Sequence, residues 1–183
     1  MSVYLIRHGL TQGNLEGRYI GCRNDEALCG QGIKRLEELR MPKVRQVFIS
    51  PMKRCTQTAG ILFPGAERIV VPDFRECDFG DFEGKNYTEL NGDPAYQAWI
   101  DSGGELAFPG GESRKRFAQR CVNAFAKLDL LASDEDCAVV AHGGTVMAIM
   151  EEYARPRGGY FDFQVKCGEG YVMDADGDYQ KLS

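Results

Sequence analysis

The chain contains two histidines, and each follows a short apolar run and precedes a glycine. Val3–Ile6 leads through Arg7 to His8, and Cys137–Ala141 leads directly to His142. Apolar runs of this length are typical of buried strands, and ligands of parallel sheets bind beyond the carboxyl ends of the strands. Because neutral imidazole serves as a nucleophile and as a general acid or base, the two side chains predict one shared catalytic site.

Two arginines accompany these histidines. Arg7 directly precedes His8, and Arg54 follows the predicted strand Gln46–Ser50 after a short polar segment. A guanidinium is a planar fork that matches two phosphate oxygens, and its positive charge also keeps a neighbouring imidazole neutral. The set therefore predicts a binding site for a phosphate monoester, with His8 as the neutral nucleophile.

A carboxylic acid is expected near the phosphate because the leaving alkoxide needs a proton. The chain offers Glu76, Asp78, Asp81 and Glu83 within one short segment. Spacing alone does not choose among these four residues, and a solvated acidic loop would explain the last three equally well. Cys77, next to Glu76, leaves open a redox role.

Four segments resemble, in order, the motifs of the histidine phosphatase superfamily, which has the phosphoglycerate-mutase-like fold. They are residues 5–14 with Arg-His-Gly, 50–59 with its arginine, 75–84 with Arg-Glu, and 141–144 with Ala-His-Gly-Gly. One Arg-His-Gly triplet is a weak signal, whereas four ordered motifs over nearly the whole chain are specific. The resemblance implies a hydrolase in which a histidine accepts the phosphoryl group and water then removes that group.

Residue by residue, the resemblance makes His8 the phosphoryl acceptor and Glu76 the acid. It implies that Arg7, Arg54 and His142 share in catalysis, and that the phosphate is bound by Arg7, Thr11, Asn14, Arg54, His142 and Gly143. For Thr11, a loop-capping role is equally open. It implies neither a metal nor another cofactor.

A metal site is the chemical alternative for the same residues. His8, His142 and Glu76 form a two-histidine, one-carboxylate set of the kind that binds iron. Two arginines beside those ligands would repel a divalent cation, which favours the phosphate site.

Within the family, residues 17–21, 79–81 and Trp99 look most like the α-ribazole phosphatase branch. The chain also lacks the longer insertion and lysine-rich continuation usual in the mutases. The resemblance therefore implies a small phosphorylated metabolite, with α-ribazole 5′-phosphate as the first candidate. A phosphoglycerate mutase and a broad sugar-phosphate phosphatase stay open. A non-catalytic phosphate-binding homologue is disfavoured because the histidines, Arg54 and the acid are all present.

Composition limits the other classes of function. The chain has 183 residues, 43% of them hydrophobic and 27% charged, with a net charge of −5. An acidic protein of this kind is not expected to bind nucleic acid or a membrane surface, and no apolar run approaches the ~20 residues that span a bilayer. Seven cysteines without a C-x-x-C pair and the lack of a signal peptide predict a cytoplasmic protein with reduced thiols. The oligomeric state stays open.

Strand and helix patterns alternate along the chain. This alternation predicts a single domain over residues 1–183 with an α/β fold, a three-layer α/β/α sandwich around a mostly parallel sheet. Strands are expected at Val3–Ile6, Gln46–Ser50, Arg68–Val71, Cys137–Ala141, Phe161–Val165 and Tyr171–Met173. Helices are expected at Gly30–Arg40, Thr56–Phe63, Ser113–Leu131 and Thr145–Tyr153, with Ser113 as an N-cap that lacks a capping box.

Residues 85–111 are predicted to form a lid-like excursion over the substrate, with short helices around Tyr87 and Trp99. The segment carries Tyr87, Tyr96, Trp99 and Phe108. These rings either offer a flat surface to an aromatic leaving group or form the core of the lid itself.

Overall fold

The central sheet of the computed structural model, which describes residues 1–182, has six strands in the order β3-β2-β4-β1-β5-β6. β3, β2, β4 and β1 run parallel, and β5 and β6 are antiparallel to their neighbours. The predicted, mostly parallel sheet is thus confirmed. The strands are β1 (Ser2–Arg7), β2 (Gln46–Ile49), β3 (Glu67–Val70), β4 (Cys137–Ala141), β5 (Gly170–Asp174) and β6 (Tyr179–Leu182).

Helices cover both faces of this sheet. They are α1 (Gln12–Leu15), α2 (Gly30–Glu38), α3 (Lys53–Leu62), α4 (Pro94–Asp101), α5 (Arg114–Leu128) and α6 (Gly143–Tyr153). Because side chains alternate across a strand, Leu5 and Ile6 of β1 enter different cores. Leu5 packs in the core with Phe125 of α5, and Ile6 packs in the core with Leu36 of α2. The predicted three-layer fold is therefore confirmed.

The strand register aligns the predicted site positions. Arg7 of β1 pairs with Ala141 of β4, so the next residue of each strand is a histidine. The backbone N–H of His8 donates to Ala141 O at 3.0 Å, and that of Ser50 donates to Val140 O at 3.1 Å. Three neighbouring strands thus end at one level, directly below the site.

The strand predicted over Phe161–Val165 is wrong. Residues Tyr160–Phe163 form a 3-10 helix instead, in which the Asp162 carboxylate accepts the backbone N–H of Gly159 at 2.8 Å. Of the apolar residues whose alternation suggested a strand, Phe163 is buried and Phe161 is 54% exposed. Local capping thus decided the backbone conformation, and the second closing strand is β6, which the sequence patterns missed.

The short helix predicted around Tyr87 is also absent among the described residues. The Asn86 side chain accepts the N–H groups of Thr88 and Glu89, which forms a turn, and Tyr87 is 70% exposed. Near Trp99 a helix, α4, does form, and Asp93 is its N-cap. The long helix α5 begins after Ser113 without a capping box, as predicted, but ends at Leu128 because Asp129 takes a left-handed conformation.

No helix in residues 1–182 combines the length and apolarity needed to cross a bilayer.

Candidate active site

His8 lies directly after β1 and is 3% exposed. Its Nδ1 is 2.7 Å from Gly9 O, and because a carbonyl only accepts, Nδ1 carries the proton of the neutral ring. Nε2 is then the nitrogen with a free electron pair. Burial, then the charges of Arg54 and Arg7, hold the pKa of His8 well below its usual value, so the ring is neutral.

Arg54 lies in the first turn of α3 and is fully buried. Its Nε–H donates to His8 Nε2 at 3.3 Å, and Nη2 lies 3.4 Å from His142 Nδ1. Backbone carbonyls of Ile20, Gly21 and Asn24 accept further N–H groups of its Nη atoms at 3.1–3.4 Å. The guanidinium is therefore fixed between the two histidines, and no carboxylate of residues 1–182 forms an ion pair with it.

His142 is the N-cap residue of α6 and is fully buried. The two histidine rings lie 5.2 Å apart, edge to face, as their positions at strand ends predicted. His142 Nε2 is 2.8 Å from Ser50 Oγ, so that Nδ1 faces Glu76 Oε2 at 3.5 Å. Burial and then the charge of Arg54 hold the pKa of His142 well below its usual value, so this ring is neutral too.

Glu76 is the acidic residue that the structure places beside the histidines. Its side chain is 12% exposed, and Oε1 accepts the backbone N–H of Cys77 at 2.9 Å. Burial raises the pKa of Glu76, and the Cys77 N–H and the nearby arginines only partly oppose that shift. Among the four acids of this segment, Glu76 alone lines the cavity described below.

Arg7 holds one unused donor in this pocket. Its Nη1 donates to Val165 O at 2.8 Å, whereas its Nε is buried with no hydrogen-bond partner within residues 1–182. A buried N–H of this kind is uncommon and is normally satisfied by a ligand or water. Gly143 packs against this side chain, because a Cβ there would lie 3.4 Å from the guanidinium.

Thr11 and Asn14 form a capping pair at the start of α1. Thr11 Oγ1 accepts the N–H of Asn14, and Asn14 Oδ1 accepts the N–H of Thr11, both at 3.2 Å. The capping alternative for Thr11 is therefore the one that the structure shows. Contact of either residue with a substrate phosphate stays a prediction.

The two glycines that follow the histidines have different surroundings. A Cβ on Gly9 would lie 2.7 Å from Leu36 Cδ1, so this glycine allows α2 to pack closely. Gly143 lines the cavity beside Arg7.

A cavity of about 530 Å³ opens beside the histidines, with Arg7, Glu76 and Gly143 in its lining. Arg7 and Gly143 each adjoin a histidine in the sequence, and Glu76 Oε2 lies 3.5 Å from His142 Nδ1. The other walls of the cavity are largely aromatic and are formed by Tyr19, Phe79, Trp99, Phe108, Phe117, Tyr160 and Phe161. Of the four aromatic residues singled out in the predicted lid, Trp99 and Phe108 are in this wall, Tyr96 stacks behind Trp99 at 13°, and Tyr87 lies on the surface.

Ser50 is the site residue that the sequence patterns missed. It directly follows β2 at the sheet edge that carries both histidines, which is the one signal in the sequence that could have found it. Buried serines are common structural residues, so only its 2.8 Å contact with His142 Nε2 reveals its role.

In the alternative metal site, a cation would compete with Arg54 for the same nitrogen atoms. Arg54 contacts His8 Nε2 and His142 Nδ1, the nitrogens that would have to bind a cation together with Glu76. A separate group with ligand-like spacing in the described part of the chain is Cys22, Asp78 and Glu83. Arg23 forms an ion pair with Asp78 at 2.8 Å, which makes that group a poor cation site.

Known protein families, sequences and structures resemble this chain over most of its length. The model of the histidine phosphatase superfamily (branch 1) matches residues 3–183. An adenosylcobalamin/alpha-ribazole phosphatase of Escherichia coli (strain K12) is 27% identical, over 100% of this chain and 94% of the relative. The alpha-ribazole phosphatase structure from Shigella flexneri has a TM-score of 0.81 and 26% identity, covering 100% and 95% of the two chains. A phosphoglycerate mutase structure from Thermus thermophilus has a TM-score of 0.75 and 28% identity, covering 100% and 99%.

Proposed function

Because the chain belongs to the histidine phosphatase superfamily, branch 1, we propose that it hydrolyses a small phosphate monoester through a phosphohistidine at His8. The observation that carries this proposal is the orientation of His8. Gly9 O holds the Nδ1 proton, and Arg54 Nε–H lies at Nε2, where an attacked phosphate would be bound. The ring is neutral and oriented, as a nitrogen nucleophile must be.

In the first step, His8 Nε2 attacks phosphorus, and the bond from phosphorus to the leaving oxygen breaks. Arg54 and the unused Nε of Arg7 donate to the phosphoryl oxygens, whose charge they balance. His142 Nδ1 lies 3.4 Å from Arg54 Nη2, and in this proposal it contacts the same oxygens. These groups are preorganised and buried, which strengthens their effect on the transition state.

Glu76 supplies the proton for the leaving alcohol in this proposal. Burial raises the pKa of the carboxyl, which favours the protonated acid before the step. In the second step, water attacks the phosphohistidine, the carboxylate of Glu76 takes a proton from that water, and the bond from nitrogen to phosphorus breaks. Inorganic phosphate and the starting form of the enzyme result.

No metal has a part in this chemistry, since two arginines already provide the positive charge. With p-nitrophenyl phosphate, turnover should persist in EDTA, and it should be lost in His8→Ala together with any acid-labile phosphoenzyme. Activity that depends strictly on added metal would contradict metal independence. Full activity of His8→Ala would contradict the nucleophile.

We propose α-ribazole 5′-phosphate as the first substrate to test. The Escherichia coli and Shigella flexneri relatives carry that activity in their names, and the aromatic walls of the cavity suit a benzimidazole riboside. A panel of α-ribazole 5′-phosphate, sugar phosphates and 3-phosphoglycerate, compared by kcat/KM, tests the assignment. A higher kcat/KM on any other member of the panel would contradict this assignment and make that compound the preferred substrate.

A phosphoglycerate mutase is the second candidate, because the Thermus thermophilus enzyme shares the fold over the whole chain. A mutase would return the phosphoryl group to a glycerate and keep it from water. Incubation with 3-phosphoglycerate and its bisphosphate separates the two activities. The proposed hydrolase releases inorganic phosphate, whereas a mutase forms 2-phosphoglycerate.

A further inference from the structure

Trp99 is the only tryptophan of the chain, and it lies on α4 in the wall of the cavity. Its ring is near-parallel to Tyr96 at 6.3 Å and tilted by 30° on Phe108 at 5.0 Å. Tyr19 and Phe82 contact it edge to face. These neighbours hold the indole in one orientation, so packing fixes its position in the cavity wall.

The indole Nε1 is buried and has no hydrogen-bond partner within residues 1–182. Arg7 Nε is the other side-chain atom of the described chain in this condition, and both residues line the same cavity. A buried tryptophan N–H normally finds an acceptor, because leaving it unpaired costs free energy. Arg7 directly precedes His8 and serves the phosphate in the proposed reaction, which leaves the second unused donor for the leaving group.

A glycine loop at residues 103–104 packs next to this indole. Gly103 and Gly104 have φ angles of +66° and +79°, which favour glycine, and a Cβ on Gly104 would lie 3.3 Å from Trp99 Cζ2. Both glycines also line the cavity. Contact between a ligand and the buried Nε1 requires a shift of these two glycines.

The charge of Arg114, which lines the cavity, is already balanced. Arg114 forms an ion pair with Glu105, and its guanidinium lies 5.3 Å from the ring centre of Tyr160 and 5.2 Å from that of Phe161. The remaining walls are mostly aromatic rings, with Ile100 and Met147 between them. This part of the cavity therefore suits an uncharged body with a ring better than a carboxylate.

On the basis of the proposed phosphatase function, we propose that Trp99 Nε1–H determines specificity by donating to an acceptor atom of the leaving group. The preferred substrates are then phosphate monoesters of uncharged, ring-bearing alcohols with an oxygen or nitrogen acceptor. Arg7 binds the phosphate at one end of the cavity, and Trp99 recognises the alcohol at the other.

The test compares α-ribazole 5′-phosphate, which has such acceptors, with benzyl phosphate, which has a ring but no acceptor beyond the ester. Wild-type enzyme should have the higher kcat/KM on α-ribazole 5′-phosphate. Trp99→Phe keeps an aromatic ring and removes the N–H, so the ratio of the two kcat/KM values should fall roughly fivefold, the value of one neutral hydrogen bond. Tyr96→Phe is the matched control and should leave the ratio unchanged.

Tryptophan fluorescence gives a second measurement, since Trp99 is the sole indole. With the His8→Ala variant, which cannot turn over, α-ribazole 5′-phosphate should shift the emission to longer wavelength, and benzyl phosphate should not. Equal losses on both substrates in Trp99→Phe, or no preference in the wild type, would overturn the inference while the phosphatase function stands. Wild-type protein that hydrolyses neither ester would instead refute the proposed function.

Discussion

At the scale of single residues, His8 and Glu76 have opposite pKa shifts with one cause. Burial disfavours the charged form of each group, so it lowers the pKa of the imidazole and raises the pKa of the carboxyl. Both groups are therefore driven toward their neutral forms in the same pocket. A neutral nucleophile and a protonated acid are what the first step of the proposed reaction requires.

Glu76→Gln tests the acid. Removing a general acid should lower kcat by about 10²-fold or more on alkyl phosphates, whose leaving oxygen needs a proton. The loss should be smaller with p-nitrophenyl phosphate, because p-nitrophenolate leaves without protonation. The measurement is kcat on both substrates for the variant and the wild type.

Asp78→Asn is the control, since Asp78 lies in the same acidic segment but pairs with Arg23 and does not line the cavity. It should change the two kcat values equally and little. If Asp78→Asn showed the dependence on leaving group and Glu76→Gln did not, the acid would have to be reassigned.

At the scale of elements, α5 connects helix capping to the site. Ser113 Oγ accepts the N–H of Arg116 at 3.3 Å at the start of the helix. One turn further, Phe117 forms part of the cavity wall. The cap thus stabilises the helix that carries this wall, while its own side chain stays outside the cavity.

Ser113→Ala should lower the free energy of unfolding by about 1 kcal/mol, because one N–H of the first turn loses its acceptor. Urea denaturation of the variant and the wild type measures the difference. Ser113→Thr keeps a capping hydroxyl and should recover most of the loss. Equal stability of Ser113→Ala and the wild type would show that this cap contributes nothing.

At the scale of the whole molecule, the two buried histidines make stability depend on pH. Their pKa values are well below the usual value in the native state, so below about pH 6.5 the unfolded chain binds more protons than the native one. Stability therefore falls as pH falls. Glu76 opposes this change, because its raised pKa lets the native state bind a proton at a higher pH than the unfolded chain does.

Between about pH 7.5 and pH 5.5, the histidines should lower the free energy of unfolding by up to about 3 kcal/mol, reduced by the part that Glu76 returns. Urea denaturation at both pH values measures this change. A His8→Asn, His142→Asn double variant should lose the decrease. Wild-type stability that rose toward pH 5.5 would contradict the assignment of neutral histidines.

The sequence by itself determined the order of strands and helices over most of the chain, because apolar periodicity reports which side of an element is buried. It also predicted a site at Arg7, His8, Arg54 and His142, and the structure brings Arg54 into contact with both histidines, while their catalytic roles stay predictions. It failed at Phe161–Val165, where capping by Asp162 overrode the alternating pattern.

Packing of the whole fold placed Glu76 beside His142 and in the cavity wall, placed Ser50 against His142, and put Trp99 in that wall with an unused donor. The physical reason is the same in each case. These roles depend on distances between segments far apart in the chain, and on burial that shifts a pKa or leaves a donor unpaired. No local pattern of residues encodes those distances, which arise when the elements pack.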